Sequence, residues 1–109
     1  MKTVVKENAN GGKGQVVVKY ILDDNELNAK CKMFAEVTIA PGCSLGYHEH
    51  HGESETYYII KGQGEYDDNG TKRPVTVGDK TFTPDGCCGH GIANTGDEDL
   101  VFMALIQLD

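Results

Sequence analysis

A chain of 109 residues with 10 basic and 17 acidic side chains, a net charge of −7 and Arg73 as its one arginine carries no footprint for a phosphate backbone, so nucleic acid is not an expected partner. That length makes a single domain, residues 1–109, burying roughly 60–70% of its extended surface. With 14 glycines, three prolines and no long apolar segment of period 3.6, it reads as short strands joined by turns, an all-β chain. Neither the N-terminus nor any later stretch is apolar enough for a signal peptide or a membrane span, so a cytoplasmic protein without a membrane partner is expected. In that setting Cys31, Cys43, Cys87 and Cys88 are expected to remain thiols, with no structural disulfide.

In chain order, Asn10-Gly11-Gly12-Lys13-Gly14 separates a short first strand from Gln15 to Leu22, which is apolar on both faces for much of its length. Residues 23–28 are a polar turn or one helical turn. Met33, Ala35, Val37 and Ile39 then alternate with polar neighbours in a half-buried strand that Pro41-Gly42 ends. Further on, Asp67-Asp68-Asn69-Gly70 signals a hairpin, with Asn-Gly suited to a type I′ turn. Pro74 to Asp79 is the return strand, Thr81 to Gly86 a short strand and turn, and Leu100 to Leu108 a strand apolar almost throughout. One side of that last strand needs another layer or a partner subunit to cover it.

Between these segments lies Tyr47-His48-Glu49-His50-His51-Gly52-Glu53-Ser54-Glu55. Two histidines at i, i+2 on a strand share a face, about 7 Å apart at the backbone, so both imidazoles can reach one cation. The breaks at Pro41-Gly42 and Gly52, followed by the β-branched and aromatic run Thr56 to Ile60, favour strand over helix. Glu55 then lies on the next strand with Tyr57 and Ile59 on its face. His51 and Glu53 are expected to point away as surface residues, with Glu53 a fallback ligand if the turn is read one register out. His90, on a strand flanked by glycines and sharing a face with Ile92 and Asn94, is the candidate third imidazole. Cys87 and Cys88, just before it, are read as loop cysteines, with a thiolate ligand or redox switch as the alternative. Three imidazoles and one carboxylate suit one divalent transition metal ion, Mn, Fe, Co, Ni, Cu or Zn. An octahedral ion keeps about two positions for water or substrate.

These residues resemble the cupin superfamily. Its first motif, Gly, five residues, His-x-His, three or four residues, Glu, six residues, Gly, fits Gly42, His48, His50, Glu55 and Gly62. Its second fits Gly78, Pro84, Gly86, His90 and Asn94 with one extra residue between Gly86 and His90, expected to bulge in a loop. The resemblance implies a double-stranded β-helix, the jelly-roll cupin barrel. It also implies an internal metal on His48, His50, Glu55 and His90, and frequent homodimers. Tyr57 and Ile59 would line the cavity, with Phe82 or Ile92 as further wall, while Asn94 fixes a turn and Tyr47 faces outward.

The function expected from this set is a metal-dependent enzyme acting on a small oxygenated molecule, of the dioxygenase, lyase or sugar and sugar-acid isomerase class. Oxalate is disfavoured, because oxalate-degrading cupins carry an arginine close before the His-x-His pair where this chain has Ser44-Leu45-Gly46-Tyr47. Cupin sugar-nucleotide epimerases work without metal, so the full ligand set argues against them as well. The alternative is a binding module that captures a small ligand or sugar without changing it, since no acid or base beyond the ligands stands out. A purely structural metal is the third reading.

Overall fold

A computed structural model describes residues 1–86 and 88–109. Its strands are β1 (Lys2–Glu7), β2 (Gln15–Tyr20), β3 (Cys31–Ile39), β4 (Ser44–Glu49), β5 (Glu53–Lys61), β6 (Gln63–Asp68), β7 (Thr71–Thr76), β8 (Lys80–Thr83), β9 (Gly89–Asn94) and β10 (Leu100–Leu108). They form two antiparallel sheets, a six-stranded one ordered β1-β2-β3-β10-β5-β8 and a four-stranded one ordered β4-β9-β6-β7. The inner faces meet as a jelly-roll barrel.

Period-two alternation decides what enters the core. Val16 and Val18 on β2, Val37 and Ile39 on β3, Tyr57 and Ile59 on β5, and Phe102 and Ala104 on β10 are all buried, while their sequence neighbours turn outward. Phe102 packs on the Tyr57 ring at a centroid distance of 4.4 Å, which ties the core to the strand that carries Glu55. The helical turn expected near Asp23 is α1 (Asp24–Leu27), closed by a capping box between Asp23 and Glu26. Asn69 and Gly70 both take positive φ at the β6–β7 hairpin, as a type I′ turn requires.

Two readings change. Phe82 is 49% exposed because it alternates with the buried Thr81 and Thr83, so it faces outside and is not cavity wall, and Ile59 and Ile92 are buried in the core without lining the cavity, which of the expected wall residues Tyr57 does. Cys31 and Cys43 are free thiols, but Cys88 is disulfide-bonded, against the expectation of none; Cys87 lies outside the described residues, as does the full course of the loop expected to bulge there. The outward side of β10 (Val101, Met103 and Leu105) is only half-buried, and it continues into the exposed Tyr58 and Ile60 of β5 and Phe82 of β8. No helix among the described residues is long and apolar enough to cross a membrane.

One local device shapes β4. Gly46 and Tyr47 together face Gly91 of β9, because the register runs Ser44↔Ala93, Leu45↔Ile92 and then His48↔His90. A Cβ at Gly46 would collide with the Asn10 carbonyl of the 3-10 turn (Ala9–Gly11) that lies across the strand. Gly46→Ala is therefore expected to lower stability by about 1–3 kcal/mol, as overpacking does. A thermal melt of the purified variant checks it, and an unchanged midpoint would show that the turn yields freely.

Candidate metal centre

The bulge places His48 directly opposite His90 across β4 and β9. His50 lies one residue past the end of β4, not on the strand itself. It is held by the turn that follows, where its carbonyl accepts from Gly86 N–H at 2.9 Å and Gly52 N–H donates to Asp85 Oδ1 at 2.6 Å. Gly52 takes φ +78°, which explains a glycine at this reversal. Glu55, on the inward face of β5, completes the group. His50, Glu55 and His90 are buried and His48 is half-buried.

Their ligating atoms all lie within 4.8 Å of one another. His90 Nε2 stands 3.1 Å from His48 Nε2, 3.1 Å from His50 Nε2 and 2.9 Å from Glu55 Oε1, and that oxygen is 2.8 Å from His50 Nε2 and 3.8 Å from His48 Nε2. With metal–ligand bonds of about 2.1 Å, ligands at right angles stand about 3.0 Å apart and tetrahedral ones about 3.4 Å apart. Four of these five separations lie near the right-angle value, so the donor atoms are spaced as ligands of one ion would be.

The far side of each ring explains why Nε2 faces inward. His48 Nδ1 is 2.8 Å from the Gly46 carbonyl oxygen, and His50 Nδ1 is 2.9 Å from Glu53 Oε1. His90 Nδ1 is 2.8 Å from the Tyr66 hydroxyl, itself 2.9 Å from Thr83 Oγ1. A carbonyl and a carboxylate can only accept, so Nδ1 carries the proton in His48 and His50. With Tyr66 donating to Thr83, the same holds for His90. Three bare Nε2 lone pairs and a carboxylate then point at one spot, a donor set that fits a cation and would otherwise bring four acceptors together.

Electrostatics around Glu55 agree. Burial pushes its carboxyl pKa up, but the rings of His48, His50 and His90, each placed to donate to it once protonated at Nε2, outweigh that and hold it well below the usual carboxylate range. The hydrogen bond to Glu55 raises His50 against the opposing effect of burial, with Glu53 adding to the rise. Burial lowers His90 despite Glu55. Tyr57, whose hydroxyl is 3.4 Å from His90 Nε2, is raised well above its ordinary value by burial and then by the charge of Glu55, so it stays a neutral phenol.

The cluster opens into a cavity of about 590 Å³ between the sheets, walled by Val16, Val18, Met33, Val37, Leu45 and Tyr57, with Lys6, Glu7, Lys32 and Glu49 also lining it. All four expected ligand residues come together. His51 is exposed, paired with Glu49 at 3.3 Å, and Tyr47 is 44% exposed, both as expected. Asn94 binds the Ile39 and Glu98 carbonyls and accepts from Gly96 N–H, holding its turn. Glu53 departs from expectation: it is 8% exposed and bonded to His50. Because β5 begins at Glu53, the alternation that turns Glu55 inward also turns Glu53 inward, a signal already present in the i, i+2 spacing. Tyr66 gave no such signal, since it reaches His90 from another strand of the sheet.

Comparison with known proteins agrees with this architecture. Residues 35–106 match the family model of the cupin domain. An oxalate-binding protein of Thermotoga maritima is 44% identical over 101 residues, covering 93% of this chain and 83% of that one. The crystal structure of a predicted oxalate decarboxylase from Thermotoga maritima superposes with a TM-score of 0.95 at 40% identity, covering 100% of this chain and 94% of that chain. A cupin-like protein from the same organism gives 0.75 at 26% identity, covering 89% and 71%. The chain belongs to the cupin domain family.

Proposed function

We propose that His48, His50, Glu55 and His90 hold one divalent transition metal ion whose open positions capture a small chelating carboxylate, with oxalate as the first candidate. The observation that carries this reading is the charge balance of the cavity. Three neutral imidazoles and one carboxylate around a dication leave a net positive centre, set among apolar walls, for which an oxyanion is the complement. When bound, the ion supplies Lewis-acid coordination to the ligand's oxygens. The chain's residues keep Nε2 aimed inward, exclude water along the Val16, Val18 and Val37 wall, and present the Tyr57 hydroxyl as a hydrogen-bond donor.

The missing arginine before His48 still weighs against oxalate degradation, yet it does not weigh against chelation, in which the metal takes both carboxylates. Similarity to a protein named as oxalate-binding supports capture. Calorimetry on metal-loaded protein is expected to show oxalate binding that disappears in His48→Ala, with oxalate recovered unchanged after long incubation. Absence of binding by the loaded protein would exclude capture of this ligand.

A second reading, turnover of a small oxygenated substrate of the dioxygenase, lyase or isomerase class, draws on Tyr57, whose protonated hydroxyl lies 3.4 Å from the inward-facing His90 Nε2. Product formed from oxalate or another small acid, and lost in Tyr57→Phe, would favour it over capture.

Acid should release the ion. Ligation needs unprotonated imidazoles, and Glu55 makes His50 the readier of the two shifted rings to take a proton, so metal-dependent stability is present near neutrality and lost as pH falls below about 6. Elemental analysis after dialysis at graded pH tests this; full metal content at pH 4 would rule out histidine ligation.

We also propose a homodimer, built on the outer face of the six-stranded sheet where Tyr58, Ile60, Phe82, Val101, Met103 and Leu105 gather. Six strands of four to nine residues, at about 4.8 Å spacing and about 3.4 Å per residue, present a footprint of roughly 700 Å², close to what each partner contributes to a stable interface. Light scattering should give a dimer that Met103→Glu converts to monomer. A wild-type monomer at micromolar concentration would end the idea.

A further inference from the structure

The three imidazoles differ in what grips their outer nitrogen. His48 faces a peptide carbonyl and His90 a phenol, both neutral acceptors, whereas His50 faces a carboxylate. Glu53 is itself held at its other oxygen, where Oε2 lies 3.3 Å from Lys32 Nζ at the cavity mouth. Its backbone sits at the first residue of β5, opposite Leu108, just after the Gly52 reversal that Asp85 pins. A side chain this buried, fixed at both oxygens and aimed at a ring nitrogen, is not a solvated surface acid.

We propose that Glu53 is a positioning residue for the metal centre: its carboxylate fixes His50 with the proton on Nδ1 and makes His50 Nε2 a stronger donor than those of His48 and His90. This rests on the metal reading above. The physical basis is that a charged acceptor polarises an N–H more than a neutral one, which pushes electron density to the opposite nitrogen and orients the ring. Lys32 limits where the carboxylate can go. With a 61% exposed side chain it costs the chain little to keep there, and its contribution to stability is small.

The test compares wild type, Glu53→Gln, Glu53→Ala and His51→Ala for Co(II) affinity, by competition with a chromophoric chelator, and for the visible spectrum of the Co(II) form. Glu53→Gln retains shape and an accepting oxygen while removing the charge, so it should bind Co(II) about tenfold more weakly, with displaced ligand-field bands. Glu53→Ala should bind more weakly still, and His51→Ala, exposed on the same turn, should match wild type. If Glu53→Ala does not fold, shown by the absence of a cooperative melt, the isosteric Gln variant carries the comparison alone. Wild-type affinity and an unchanged spectrum in Glu53→Gln would overturn the proposal. Failure of the wild-type protein to take up Co(II) at all would instead overturn the metal reading itself.

Discussion

Everything around the centre follows from holding four hydrogen-bond acceptors at mutual distances near 3 Å. Left to themselves, three imidazole lone pairs and a carboxylate would turn apart or share protons, because each pair repels and none offers a donor. The fold opposes this from outside the cluster. The β4–β9 register sets His48 opposite His90, the Gly52 reversal returns the chain so that Glu55 faces them, and each Nδ1 is engaged by a partner the barrel supplies. A cation would resolve the conflict that this scaffold maintains, and its affinity would then be a property of the sheet geometry as much as of the four side chains.

The outer partners also give the site an internal gradient. A peptide carbonyl belongs to the backbone and moves only if β4 moves, so His48 is as rigid as the bulge at Gly46. Tyr66 is fully buried and tied to Thr83, so His90 depends on contacts between β6, β8 and β9. Glu53 alone carries charge and alone communicates with the cavity mouth, through Lys32. One cluster is thus supported by three kinds of restraint, one in backbone, one in core packing and one in electrostatics.

Much of this was legible from the residues. Alternation on strands is a local rule, and it correctly brought His48, Glu55, Tyr57, Ile59 and Ile92 to the inside. It fails at Glu53, expected at the surface, because β5 begins at Glu53 itself and the residue shares parity with Glu55 and faces the same way. Phe82 misled for a different reason, because a large apolar side chain reads as core, yet it alternates with two buried threonines. Tyr66 was beyond reach of any local pattern, since its role depends on which strands become neighbours in the four-stranded sheet. The disulfide at Cys88 runs against an expectation drawn from compartment and cysteine spacing, neither of which fixes the state of a particular thiol.

The chain's charge sharpens what the cavity can select. A net charge of −7 repels anions at long range, and the mouth offers Lys6 and Lys32 against Glu7, Glu49 and Glu53, so no field gathers carboxylates there. At physiological ionic strength that repulsion is screened beyond about 8 Å, leaving short-range bonding to decide. A monocarboxylate would gain one coordination bond on the proposed ion, whereas a dicarboxylate closing a small ring gains two for a single loss of translational freedom. Without an arginine or other buried cation to hold a distal acid group, selectivity falls to ring size at the metal. On the proposed metal reading, short chelating diacids would be favoured over longer ones, and simple anions disfavoured by the single bond they can make.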